Sequence, residues 1–131
     1  MSENKKLILI VDDDVDYLFQ LKTNVEKFGF EVITAESQEE GEKMLETTKP
    51  DLAIFDLMME NDDSGFILSY RAKRKYPDMP IIIATAVAAE TRHSFGLESE
   101  TEKRWIKADL YLTKGIRPDQ LHREIIKLLK M

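Results

Sequence analysis

Leu7-Ile8-Leu9-Ile10-Val11 is an unbroken apolar run that stops at three aspartates. A run without polar alternation predicts a strand covered on both faces, as in a parallel sheet. Behind it, Val15, Leu18, Leu21, Val25 and Phe28 recur at helical spacing, and Gly29 supplies the stop. Residues 31–35 predict a second strand. Ser37 with Glu40 then makes a capping box for a helix that buries Met44 and Leu45. Pro50 closes that helix and leads into Leu52-Ala53-Ile54-Phe55, a third buried strand ending at Asp56. A polar loop from Leu57 to Asp63 follows, with Ser64 as N-cap of a helix running to about Tyr76. Pro77 and Pro80 bracket the turn into a fourth strand over 81–85. The segment 87–109 reads as a helix starting near Ala88, then a polar stretch through Gly96. Leu110-Tyr111-Leu112 predicts a fifth strand, and Pro118 opens a last helix burying Leu121, Ile125 and Leu128.

Strand and helix therefore alternate five times, which predicts an α/β fold with a doubly wound parallel sheet. At 131 residues and 43% hydrophobic, the sequence fits one domain, 1–131, with a single core, and not a receptor or a multidomain enzyme. No cysteine is present, which excludes disulfides, thiolate metal sites and thiol catalysis. The net charge is −6, and no basic cluster offsets it, so direct nucleic-acid binding is not expected. The longest apolar runs, 7–11 and 81–87, are too short to span a bilayer, and the N-terminus reads straight into a strand. The expectation is a soluble, cytoplasmic domain with no membrane contact.

In open α/β sheets, function lies outside the carboxyl ends of the strands. A five-stranded sheet of this kind is expected in the order 2-1-3-4-5, which sets strands 1 and 3 about 4.8 Å apart. Their carboxyl ends carry Asp12-Asp13-Asp14 and Asp56, while strand 4 ends in Thr85 and strand 5 is followed by Lys114. Carboxylates crowded together repel, and a divalent cation relieves the repulsion. Oxygen donors without Cys or His favour Mg2+, Mn2+ or Ca2+ over zinc. With Lys114 screening charge, one carboxylate of such a set can attack a phosphoryl group and form an aspartyl phosphate. Lys114 would hold one phosphoryl oxygen and the Thr85 hydroxyl another.

Val11-Asp12-Asp13 after a buried strand, Asp56 ending strand 3, Thr85-Ala86 ending strand 4 and Tyr111-Leu112-Thr113-Lys114 at strand 5 together resemble the receiver domain of two-component response regulators. The resemblance covers nearly the whole chain and implies the flavodoxin-like (βα)5 fold. It implies Asp56 as phosphoacceptor, Asp13 as direct Mg2+ ligand, Asp12 acting partly through water, and the Met58 backbone carbonyl as a further ligand. Thr85 and Tyr111 would form a switch, the hydroxyl moving toward the phosphoryl group and the ring turning inward. That switch would remodel the face made by the fourth helix, fifth strand and fifth helix of the pattern. The phosphoryl group would come from a histidine kinase or phosphotransfer protein, and the signal would pass to a downstream protein. The domain would be a monomer or a weak, phosphorylation-linked dimer, and no enzyme beyond assisting its own phosphoryl uptake and loss.

Four features depart from the family pattern. Gly115 follows Lys114 where a proline is usual, which implies a less constrained lysine. Glu60 stands at another usual proline, the loop from Asp56 to Gly65 is one residue longer, and the interval from Thr85 to Lys114 is extended. These departures keep a second reading open, a degenerate receiver that binds a partner without phosphorylation. A third is a Mg2+-dependent aspartyl phosphatase with Asp12 as nucleophile and Asp14 two residues on. Taken singly, the residues have plainer readings: Asp13 or Asp14 as helix N-cap, Glu60, Asp62 and Asp63 as solvated loop charges, and Met58 and Met59 as loop packing. His93 and His122 match no ligand spacing, and Trp105 would pack down the extended segment.

Overall fold

The computed structural model describes residues 5–61, 63–85 and 108–131. The helix expected from Ala88 and the readings at Asp62, His93, Gly96 and Trp105 lie outside the described residues. Five strands, β1 (Leu7–Val11), β2 (Glu31–Ala35), β3 (Leu52–Asp56), β4 (Ile81–Thr85) and β5 (Leu110–Thr113), form one parallel sheet in the order β2-β1-β3-β4-β5. The four described helices are α1 (Val15–Lys27), α2 (Gln38–Thr47), α3 (Ser64–Lys75) and α4 (Pro118–Leu129).

The unbroken apolar runs become strands covered on both sides. β3 and β4 are buried along their whole length, and β1 from Ile8 onward. One layer joins alternate strand residues such as Ile8, Ile10 and Ile54 to Leu18, Leu21 and Val25 of α1 and to Leu121 and Ile125 of α4. The other joins Leu9, Val11 and Phe55 to Leu45 of α2 and to Leu68 and Ala72 of α3. This two-sided burial is what alternating strand faces under crossover helices require.

Two aspartates tie the amino ends of the strands together, and sequence reading gave no hint of them. The carboxylate of Asp51, just before β3, accepts the Leu7 N–H at 2.7 Å, and that of Asp109, just before β5, accepts the Ile81 N–H at 2.8 Å. Asp109 also pairs with Lys73 of α3 at 2.9 Å.

Local expectations hold with three corrections. Gly29 follows α1 at φ +103°, a left-handed conformation that glycine adopts without a Cβ penalty. Val15 does not join the core of α1: it is exposed, while Tyr17 and Leu18 of the same turn pack on the core layer. In the capping box, Ser37 accepts the Glu40 N–H at 3.1 Å, but the Glu40 carboxylate reaches back to the N–H of Glu36 rather than of Ser37. Ser64 is the first residue of α3 rather than its N-cap. Its hydroxyl accepts the Asn61 N–H at 3.0 Å and so closes the preceding loop.

Candidate functional site

Backbone pairing sets the site residues in place. Register aligns Val11 with Phe55 across β1 and β3, so Asp12 and Asp56 emerge side by side at the carboxyl edge. Asp12 extends the pairing by donating its N–H to the Ala35 carbonyl at 3.1 Å, and Leu57 does the same to Ala84 at 3.2 Å. On the far side Thr85 is aligned with Thr113, and its carbonyl accepts the Lys114 N–H at 2.9 Å. Lys114 is thereby delivered to the sheet edge by the strand pairing itself.

Asp12, Asp56 and Thr85 are buried, at 2%, 6% and 4% exposure. Two carboxylates this deep need compensation. Lys114 supplies it, with Nζ 2.9 Å from Asp12 Oδ2 and 3.2 Å from Asp56 Oδ1. The second Asp12 oxygen accepts the Asp14 N–H at 2.9 Å. Asp14 itself turns to α1 and caps it, accepting the Tyr17 N–H at 3.2 Å, so it stands apart from the acidic cluster.

Burial pushes the pKa of Asp56 up to about 7, and the charge of Asp12 adds to the rise; the charge and hydrogen bond of Lys114 oppose it, and Asp13 contributes further upward. For Lys114, burial acts downward, but the hydrogen bond to Asp12 and the charges of Asp56 and Asp12 outweigh it and raise its pKa. Half-buried Tyr17 stands over this pair, its ring centroid 4.7 Å from Lys114 Nζ. Burial chiefly raises the pKa of that phenol, Lys114 opposes, and Asp12 and Asp56 add to the rise, so the ring is neutral.

Asp13 is exposed at the mouth, and Asp12, Asp13 and Asp56 each offer a carboxylate oxygen within 4.8 Å of the others. Three hard oxygen donors, two from buried residues and one open to solvent, fit a divalent cation that keeps part of its water shell. The loop beyond Asp56 is braced on both sides of Met58. The Met59 N–H donates to Asn61 at 3.1 Å, and the Gly65 N–H to the Leu57 carbonyl at 2.7 Å. Gly65 has no alternative here, since a Cβ would sit 2.6 Å from the Asp56 carbonyl oxygen and 2.7 Å from Leu57 Cα. The Met58 side chain is exposed, while Met59 packs against the α2–α3 layer. Tyr111 is half-buried, its ring set edge-on to Phe66 with centroids 6.3 Å apart.

Glu60 goes beyond its expectation. It is an exposed loop charge, as expected, but also a cap: its carboxylate accepts the N–H groups of Gln38 at 2.8 Å and Glu39 at 3.2 Å, the first turn of α2. Burial alone would raise its pKa, yet the N–H groups of Gln38, Glu60 and Glu39 prevail and lower it. An acidic side chain on the positive end of a helix is favourable for the same reason. No local signal could have found this bond, because its partners lie 21 and 22 residues apart in sequence. Tyr17 was findable, one helical turn beyond Asp13 and so above the same strand end.

The family model for the response regulator receiver domain matches residues 8–126. The chain is 35% identical over 127 residues to the alkaline phosphatase synthesis transcriptional regulatory protein PhoP of Bacillus subtilis, covering 97% of this chain and 49% of that protein. It is also 35% identical over 127 residues to the phosphate regulon transcriptional regulatory protein PhoB of Pseudomonas aeruginosa, covering 95% and 50%. The chain thus spans about half the length of these relatives. A CheY-like receiver domain protein from Methanospirillum hungatei superposes with a TM-score of 0.81 at 31% identity, over 97% of this chain and 95% of that one. The response regulator TrrA of Thermotoga maritima, solved in complex with Mg2+-BeF, superposes with a TM-score of 0.78 at 29% identity, over 94% and 98%.

Proposed function

The chain belongs to the response regulator receiver domain family, and from that premise we propose that it accepts a phosphoryl group on Asp56, with Mg2+, from a histidine kinase or phosphotransfer protein. The observation that carries the reading is the bridge of Lys114 between Asp12 and Asp56 beside the exposed carboxylate of Asp13. Asp12, Asp13 and Asp56 would hold Mg2+, with the Met58 carbonyl as a further ligand. When bound, that ion supplies charge neutralisation for the incoming phosphoryl oxygens.

An Asp56 carboxylate oxygen attacks phosphorus. The O–P bond forms as the P–N bond of a phosphohistidine breaks, and the electron pair leaves on the imidazole nitrogen. Lys114 transfers its hydrogen bond from the Asp56 oxygen to a phosphoryl oxygen, while its bond to Asp12 keeps it in place. Thr85, at the end of the neighbouring strand, hydrogen-bonds another phosphoryl oxygen. The new charge biases the Thr85 and Tyr111 pair, and Tyr111 carries the change to the surface around β5.

Signalling from these residues goes through protein contacts, in keeping with a net charge of −6, and the domain assists only its own phosphoryl uptake and loss. No described helix is long and apolar enough to cross a membrane, and we place the domain in the cytoplasm. The test is intact mass after incubation with a small acyl phosphate, with and without Mg2+, beside Asp56→Asn. A one-phosphoryl gain that needs both Mg2+ and Asp56 is expected. No gain in the folded protein would leave the phosphorylation-independent interaction module. A gain that survives Asp56→Asn but not Asp12→Asn would leave the phosphatase-type reading.

A further inference from the structure

Lys114 sits at the start of a turn that does little to aim it. Gly115 follows, and among the described residues a Cβ there would meet only Thr113 Oγ1, at 3.9 Å. Its N–H donates to that same hydroxyl at 3.3 Å in an exposed bond. The backbone of Lys114 is fixed by Thr85, but four carbons of flexible stem separate that anchor from the ammonium. Of the two carboxylates that hold Nζ, Asp56 is altered in the proposed reaction, which leaves Asp12 as the one ionic anchor and a single contact to fix the direction of the ammonium. The third neighbour of the ammonium is the ring of Tyr17.

We propose that Tyr17 is the positioning residue for Lys114, its ring face seating the ammonium from α1 while the lysine's bond passes from Asp56 to the phosphoryl group. The distance of 4.7 Å is well inside the range over which an aromatic face attracts a cation. The ring is held independently of the site. The Tyr17 N–H bonds to the Asp14 cap, and the side chain packs against the core layer of α1 and α4. Tyr17 and Lys114 also line one cavity of about 190 Å³ with Leu21, Asn24, Ile116 and Leu121. Without the ring, that cavity widens against the ammonium and gives the stem room to swing out of the site. Seating a cation on a neutral ring uses no proton and no hydrogen bond, so the contact survives changes of charge on Asp56.

This inference rests on the phosphoacceptor reading, and its test separates the two. In the metal-free full chain, Lys114 ε-methylene resonances are compared between wild type, Tyr17→Phe and Tyr17→Leu. The ring-current shift is expected in the first two and absent in the third. Phosphoryl gain from a small acyl phosphate at saturating Mg2+ is then timed. Tyr17→Leu is expected to be about fivefold slower with unchanged Mg2+ affinity, and Tyr17→Phe to match wild type. A Leu variant as fast as wild type, a Phe variant as slow as Leu, or no ring-current shift in wild type overturns the assignment. No phosphoryl gain in any form, with the shift present, would overturn the phosphoacceptor reading and leave the seating intact.

Discussion

Lys114 is held most closely by Asp12, the carboxylate that takes no phosphoryl group in the proposed reaction: 2.9 Å separates them, against 3.2 Å to Asp56. The lysine thus has an anchor that outlasts the reaction at its neighbour. Lys114→Met would leave Asp12 and Asp56 facing each other without a cation between them. Removing one member of a buried ion pair leaves an uncompensated charge, and here a loss of about 3–5 kcal/mol is expected at pH 8 without metal. Mg2+ should bind this variant more tightly than wild type and restore part of the loss. Urea unfolding with and without Mg2+ measures both, and equal midpoints for variant and wild type would refute the account.

Asp56 carries a pH dependence of definite sign. Its folded pKa of about 7 lies above the ordinary value of 3.8, so the folded chain holds a proton that the unfolded chain releases. Stability of the metal-free protein should therefore fall as pH rises from about 4 to about 7, then level off. Asp56→Asn should flatten that slope, and Mg2+ affinity should rise over the same interval as proton competition fades. Denaturation midpoints at pH 5 and pH 8 in chelator, for both forms, decide the matter.

Glu60 joins the loop after Asp56 to the first turn of α2. Glu60→Ala should cost about 1 kcal/mol, the usual worth of a helix cap, and should speed amide exchange at Gln38 and Glu39. Because its folded pKa is depressed, this contribution is present above the ordinary glutamate value of 4.5 and is lost as pH falls through the lower folded value. Unchanged exchange at both amides would show that the contact carries no stability.

Gly65→Ala should destabilise the domain by about 1–3 kcal/mol, the range for overpacking. It should also weaken Mg2+ binding, because the clash falls on the Asp56 carbonyl and on Leu57, next to the proposed Met58 ligand. Calorimetric titration of Mg2+ into the folded variant tests this. Wild-type affinity would mean that the loop backbone plays no part in holding the ion.

Much of this architecture was legible because its signals are local. The strands at 7–11, 52–56 and 81–85 announce themselves as apolar runs, and each ends at a polar residue that the sheet order brings to one edge. Asp12, Asp56 and Lys114 could be placed because a parallel sheet sends every strand's carboxyl end the same way. The Asp51, Asp109 and Glu60 bonds could not. Each joins a side chain to a backbone N–H at least 21 residues distant, and no periodicity records such a pairing. Val15 misled because helical spacing shows which residues can share a face, but not which of them the sheet covers: Leu18 is buried and Val15 is exposed.

The strand order also sets a timetable. Among the described strands β5 pairs only with β4, at the sheet edge, yet it leads into the lysine that Asp12 and Asp56, at the ends of β1 and β3, depend on. A chain made from its N-terminus forward exposes Asp12 and Asp56 long before Lys114 exists. Until the last strand docks, two carboxylates have no cation beside them, and the pocket lacks the group that would steady a phosphoryl oxygen. Completion of the proposed phosphoryl pocket then waits on the docking of β5.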